Sequence, residues 1–546
     1  MTAAVDRPVR RAALSHTADG LVQPRASTRL RPLLAGRDRV LGWVGPLAVA
    51  LLAAVIRMWN LGRPNTMLFD ETYYAKDAYS LRTFGYVRDT VEKADERIVS
   101  GDLTGLFKSD TSFYVHPDVG KWLIAAGEQV FGMDSFGWRV SAAVVGALTV
   151  LVLARMVRRL TGSSLLGCVA GLLLCFDALH FVMSRMALLD GFLAFFLVAA
   201  VACLVADRDW SRERLVRLVQ PDGNGIAGFG PVTAMLLRPW RLGAGVCFGL
   251  ACGTKWNGVF VLAAFGLLVW AWDAGARRAV GVQAPVLKAT IADAVPAFFS
   301  LVGVALVVYV ATWGGWLNHV GTYEESFGSD WGNYLATDAS GAGEVTQSVR
   351  SLWEYHQEVW GFHTGDGIKD ATHPYQSDPA GWLIINRPVG ISADTDIEPG
   401  QQGCQASDKC IKQILAIGTP VLWWAGALAL LAALALWIGG RDWRFGVALV
   451  GVGSSWLPWL FFSERPIFFF YAVTVIPFTI VAVTLVLGKI LGPAGASPRR
   501  RAYGAVAMVA FVAAVILNFV FFHPVLTDVL LSNEDWLDRM WFVRWI

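Results

Sequence analysis

Residues 138–157 read WRVSAAVVGALTVLVLARMV, a run whose only charges, Arg139 and Arg155, stand near its two ends. About 20 predominantly apolar residues cross the hydrocarbon core of a bilayer. In lipid a segment must satisfy its own backbone polar groups, which a helix does. This stretch is therefore read as a transmembrane helix. Similar runs occur at Gly42–Trp59, Leu165–Met183, Met186–Ala206, Leu242–Gly253, Trp256–Trp272, Val295–Trp313, Thr419–Ile438, Phe445–Phe462, Ile467–Leu487 and Tyr503–Phe522. Together they predict about eleven spans. The fifth is short and forms a hairpin with the sixth that turns at Lys255, or else the two make a re-entrant pair. Over 546 residues the chain is 55% hydrophobic and 16% charged, against about 25% charged for soluble domains. The expected fold is an all-α polytopic membrane bundle with two long external loops.

Orientation follows from the Lys and Arg content of the short loops, which favours the cytoplasmic side. The basic loops hold Arg155, Arg158 and Arg159, then Arg208 to Arg241, then Arg277, Arg278 and Lys288, then Arg441 and Arg444, and last Lys489 and Arg499 to Arg501. With these inside, the N-terminus is cytoplasmic and the C-terminus external. Residues 1–41 form a disordered basic tail, and 42–313 an N-terminal membrane module that includes the external loop 60–137. Residues 314–418 form an external loop domain, 419–522 a C-terminal membrane module, and 523–546 an external tail. No cleavable signal peptide is expected, because a long polar stretch precedes the first span. Of the seven cysteines, Cys404 and Cys410 alone lie in a polar loop. A disulfide between them is expected if that loop is outside the cell. The net charge of +3 reflects topology and gives no argument for a nucleic-acid partner.

Candidate chemistry gathers at one membrane face. Asp70 and Glu71 follow the first span, and two adjacent carboxylates can leave one as a base of raised pKa. The competing reading is a helix N-cap for the run that begins at Thr72. His116 and Lys121 open the run that reaches Phe131 and suit an anion at a helix start, unless Lys121 only snorkels to the interface. Arg139 stands at the outer end of the second span, Arg185 in the turn after the third, and Asp190 just inside the fourth. Intramembrane charges are functional candidates by default, although an Arg185–Asp190 pair locking the hairpin would also explain them. Lys255 and Arg465 occupy further outer turns. The loop 314–418 adds an aromatic and histidine-rich segment from Trp353 through His363 to Tyr375. It suits sugar, peptide or phosphate, or else plugs the bundle. Asp394 and Asp396 have metal-pair spacing but sit among turn residues. A transporter usually shows internal repeats with polar groups at mid-membrane. Neither is evident here, so an enzyme acting on a lipid-borne substrate at the outer surface is favoured over a polyprenyl-lipid transporter.

In order, Phe69-Asp70-Glu71, His116-Pro117-x-x-Gly120-Lys121, Arg139-x-Ser141-Ala142, Arg185-x-x-Leu188-x-Asp190 and Lys255-Trp256-x-Gly258 resemble the motifs of the protein O-mannosyltransferase family. These are enzymes of the GT-C class. Asp118 departs from the family's second proline in the His-Pro motif. The loop 314–418 is too short for the MIR repeats of eukaryotic members, which is how bacterial members look. The resemblance implies inverting transfer of mannose from polyprenyl-phosphate-mannose to Ser or Thr hydroxyls of exported proteins at the plasma membrane. Translocation machinery is an implied neighbour, and no cofactor or metal is implied. A GT-C enzyme with a lipid or glycan acceptor is the alternative. Asp70 would be the base, and Glu71 would orient Arg139 or the sugar. His116, Lys121, Arg139, Arg185, Asp190, Lys255, His363 and Arg465 would serve the donor's phosphate and sugar.

Overall fold

The computed structural model describes residues 16–17, 20–21, 38–218, 226–328, 331, 341–493 and 495–546. The stretch 1–41, expected to be a disordered tail, lies outside them apart from 16–17, 20–21 and 38–41. Each apolar run forms helix. In chain order the helices are α1 (Asp38–Met58), α2 (Glu71–Phe84), α3 (Val119–Phe131), α4 (Ser135–Thr161), α5 (Ser164–Cys175), α6 (Ala178–Met183), α7 (Leu189–Leu218) and α8 (Pro239–Cys252). There follow α9 (Gly258–Ala279), α10 (Pro285–Thr312, with π-helical turns), α11 (Ala342–Thr364), α12 (Pro420–Ile438), α13 (Trp443–Trp456), α14 (Ile476–Leu491) and α15 (Pro498–Phe522). Among the described residues six helices are long and apolar enough to cross a membrane: α4, α7, α9, α10, α12 and α15. α1, α5 and α14 are shorter apolar helices. The chain is a multi-pass membrane protein.

Helix α4 is the hub and packs against α1, α3, α5 and α7. It is started by Asp134, whose side chain accepts from the backbone of Phe136 and Gly137, and stopped by Gly162 in the left-handed region. Gly127 lets α3 press onto it, since a Cβ there would stand 2.4 Å from the Gly137 carbonyl. In the second half α14 plays the same part and packs against α12, α13 and α15. Outer helices show broad apolar faces, with Leu306, Val307, Leu428, Leu431 and Val506 all exposed. Such faces suit a hydrocarbon solvent.

Two features differ from the sequence-based expectation. The third run breaks at Phe176–Asp177 into α5 and α6, because buried Asp177 takes hydrogen bonds from the His180 backbone and the Trp423 indole. The long loops also carry strands. β1 (Arg88–Thr90) pairs with β2 (Phe107–Thr111), and β3 (Val389–Ile397), β4 (Cys410–Ala416) and β5 (Leu531–Ser532) form an antiparallel sheet. Val389 faces Ala416, and Cys410 faces both Ile397 and Ser532. β4 thus draws its partners from both sides, one of them far away in the tail, which a local pattern does not reveal. Cys404 and Cys410 are joined by a disulfide, Cα to Cα 5.8 Å.

Candidate active site

Helix α2 begins directly after Asp70, whose backbone sits at φ −72° and ψ −1° and whose side chain makes no capping bond. The N-cap reading is therefore not realised. Asp70 is half-buried, and desolvation pushes its carboxyl up to about 6, with Asp190 raising it further and Lys255 opposing. Lys255 comes from the turn between α8 and α9. Its Nζ lies 2.9 and 3.0 Å from the two oxygens of Asp190 and 4.3 Å above the Tyr471 ring. Asp190 occupies the first turn of α7, where the helix dipole favours an anion. Its partner is Lys255 and not Arg185.

Lys255 opens into a cavity of about 450 Å³ that is also lined by His116, Trp256, Tyr309, His363 and Arg465. The His116 and His363 rings stack with centroids 5.6 Å apart, and Arg465 reaches His363 Nδ1 at 3.1 Å. His116 Nδ1 and Arg465 Nε are buried with no hydrogen-bond partner among the described residues. Native structures seldom leave buried polar atoms unpaired, so such atoms invite a ligand. Burial first, and then the cations Arg465 and Lys255, hold His363 down to about 4. The same causes keep His116 well below its ordinary range. Both rings are thus neutral near pH 7, and Lys255 and Arg465 carry the positive charge. The cavity shares Phe260, Pro458 and Phe462 with an apolar groove of about 900 Å³ between α9 and α13.

Four of the expected site residues are engaged elsewhere. All five N–H donors of Arg139 are spent: two on Glu71 at 2.8 and 2.7 Å, and three on the carbonyls of Leu61, Pro64 and Thr66. It has no donor left for phosphate, contrary to expectation. Glu71 further accepts from the backbone of Leu68 and Ala187, so it orients Arg139 and not a sugar. Arg185 caps the end of α1 by donating to the carbonyls of Arg57, Trp59 and Asn60. Lys121 sits between Asp77 at 3.1 Å and Asp118 at 3.8 Å, beneath the Tyr114 ring. Asp118, at the position of the family's second proline, thus serves this internal pair. Asp394 and Asp396 bind Gln402 and Lys409 on the exposed hairpin. Among the described residues no three His, Cys, Asp or Glu are gathered to hold a metal ion.

Sequence reasoning missed a chain behind the cavity. The Trp256 indole donates to Tyr309 Oη at 2.8 Å, and Tyr309 Oη lies 2.6 Å from His356 Nε2. His356 Nδ1 lies 2.7 Å from the Leu352 carbonyl, so Nδ1 bears the proton and Tyr309 donates. This chain docks α11 onto α10. A tyrosine at the outer end of the seventh span was the available signal.

A helical membrane bundle with a free carboxylate, paired cations and an apolar groove at one end has the parts of a GT-C-type glycosyltransferase. The fold agrees: an S. cerevisiae protein O-mannosyltransferase complex bound to its sugar donor aligns over 99% of this chain and 97% of its own, with a TM-score of 0.67 at 14% identity. The dolichyl-phosphate-mannose-protein mannosyltransferase family model matches residues 47–218, and the model of the C-terminal four-span region of protein-O-mannosyltransferase matches residues 348–545. The polyprenol-phosphate-mannose–protein mannosyltransferase of Mycobacterium tuberculosis is 36% identical over 93% of this chain and 92% of its own. The enzyme of that name from Corynebacterium glutamicum is 31% identical over 91% and 92%. The chain belongs to the protein O-mannosyltransferase family.

Glu71 and Arg139 are 0% and 1% exposed, and breaking one side of a buried ion pair costs about 3–5 kcal/mol. Glu71→Gln is therefore expected to lower the melting temperature of the detergent-solubilised protein, while Asp70→Asn leaves it near wild type. Equal melting of Glu71→Gln and wild type would contradict the structural role.

Proposed function

We propose that this protein transfers mannose from polyprenyl-phosphate-mannose to Ser or Thr hydroxyls of exported polypeptides at the outer face of the plasma membrane. The observation that carries the mechanism is the Asp70 carboxylate, free of hydrogen bonds among the described residues, raised towards neutrality and set beside the Lys255–Asp190 pair. The family and the names of its curated relatives support the donor and a protein acceptor. An exported acceptor reaches this face through the translocation machinery, which is the partner this reading implies.

Asp70 takes the proton of the acceptor hydroxyl as its oxygen attacks the anomeric carbon. The bond from that carbon to the phosphate oxygen breaks, its electron pair leaves on the polyprenyl phosphate, and one in-line displacement inverts the β-linked donor. Lys255 and Arg465 hold the phosphate and stabilise charge that grows on it as the bond breaks. The neutral rings of His116 and His363 add hydrogen bonds, and Asp190 keeps Lys255 in place. The apolar groove through Leu267, Trp437 and Phe461 suits the isoprenoid chain.

Loss of a general base costs about 10²–10⁴-fold. Asp70→Asn is therefore expected to abolish transfer of labelled mannose to a Thr/Ser/Pro-rich peptide while donor binding persists. Label moving to a lipid or glycan in place of the peptide would redirect the reading. Because the ionised base is the active form, wild-type kcat should fall as pH drops through about 6 and stay level above it.

Arg465→Ala is expected to raise the donor KM more than the peptide KM, which steady-state kinetics with each substrate varied in turn will show. An effect confined to the peptide would detach Arg465 from the phosphate.

Orientation is tested by cysteine labelling in a variant without the five free cysteines. Ser100→Cys should react with a membrane-impermeant thiol reagent in intact cells, and Ser497→Cys only after the membrane is opened. The reverse pattern would place Asp70 in the cytosol and end the reading.

A further inference from the structure

Phe69, next to the proposed base, has φ +50°. A bulky residue in the left-handed region is an outlier that persists only where its surroundings over-determine it. Here they do. The Phe69 ring lies edge-on to three rings brought from distant parts of the chain: Phe468 at 5.6 Å, Phe470 at 5.6 Å and His373 at 5.9 Å. The three are braced on one another, since Phe468 and Phe470 stack at 5.4 Å and His373 meets Phe468 at 4.9 Å. Edge-to-face packing at these distances is the favoured aromatic geometry.

The strained residue decides what Asp70 does. A residue before a helix usually has extended backbone, and its carboxylate turns back onto the first-turn N–H groups. The left-handed step at Phe69 instead closes a tight turn, with the Glu71 N–H on the Leu68 carbonyl at 2.9 Å and the Leu68 N–H on Glu71 Oε2 at 3.0 Å. Asp70 is thereby left in helical backbone geometry with no capping bond. Its carbonyl accepts the first N–H groups of α2, from Tyr73 at 3.0 Å and Tyr74 at 3.1 Å, while its side chain is placed through its neighbours: Glu71 tied to Arg139 on one side, and the Phe69 ring in its aromatic box on the other. The box also reaches the cationic side of the site, because Tyr471, which carries Lys255 over its ring, packs against Phe470 at 5.0 Å.

We infer that Phe69 is a positioning residue, whose ring, gripped by Phe468, Phe470 and His373, holds a left-handed backbone that aims Asp70 at the acceptor and keeps it from capping α2. The inference rests on the reading of Asp70 as the base. It makes the outer-loop residue His373 and the turn before α14 part of the device that sets the base, although neither touches it.

Glycine separates this role from simple packing, because it enters the left-handed region freely and alanine does not. If the ring serves to hold the backbone, Phe69→Gly keeps more activity than Phe69→Ala, although it removes more side chain. Phe69→Ala is expected to lose roughly 10²-fold in kcat, the scale of a small misplacement of a reacting group, with donor KM unchanged. Phe69→Tyr, which keeps the ring, should stay near wild type. The acid limb of the pH profile in Phe69→Ala should move below its wild-type position near 6, as the carboxylate regains solvent and cap hydrogen bonds. The charged groups acting on it are Lys255 and Asp190, and Tyr74 and Tyr471 are the phenols that feel it. Activity of Phe69→Ala equal to or above that of Phe69→Gly, or an unmoved acid limb, would overturn the inference alone. Full activity of Asp70→Asn would overturn the base assignment and this inference together.

Discussion

The bidentate contact between Arg139 on α4 and Glu71 at the head of α2 fixes the loop between α1 and α4 to the membrane bundle. Arg139 also gathers the carbonyls of the segment that leaves α1, and Glu71 takes the backbone N–H of Ala187 ahead of α7. One ion pair therefore ties together three parts of the chain that lie far apart in sequence: residues 61–71, Arg139 and Ala187. Both partners are buried, so their attraction is little screened, while the desolvation cost is met by a full set of hydrogen bonds. Everything that places Asp70 begins from this anchor.

Two adjacent carboxylates are driven to opposite conditions by that arrangement. Glu71 accepts hydrogen bonds on both oxygens, from a guanidinium and from two backbone N–H groups. Asp70 accepts none among the described residues, and desolvation raises it towards neutrality. The two neighbours thus differ in what holds them: Glu71 is taken up by the anchor, and Asp70 is left open to the cationic side of the site. The same economy shows in the cavity, where burial keeps His116 and His363 neutral so that Lys255 and Arg465 alone bring positive charge.

A second ionic cluster closes the opposite end of the bundle. Arg238 bridges Asp207 on α7 and Asp273 on α9, Arg241 adds to Asp273, and Arg277 pairs with Asp293. Several arginines that set the orientation in the sequence are therefore buried fasteners between α7, α8, α9 and α10. The bundle is pinned at both ends by paired charges, which leaves its middle to apolar packing and the mouth beside Lys255 to the cavity.

The solvent, the helical runs, the family motifs and the expectation of a Cys404–Cys410 disulfide were legible in the residues alone, because each is written in local composition or short spacing. Of the candidates the sequence singled out, Asp70, Asp190, His116, Lys255, His363 and Arg465 come together around one cavity. It did not sort them. That Arg139 is spent on Glu71, Lys121 on Asp77 and Asp118, and Arg185 on the end of α1 depends on which helices pack side by side. No local pattern encodes the partners of a long charged side chain. The strands of the long loops and the aromatic box around Phe69 were hidden for the same reason, since each joins residues tens to hundreds of positions apart. Chain-local chemistry chose the residue types, and tertiary packing decided which carboxylate was left without a hydrogen bond among the described residues.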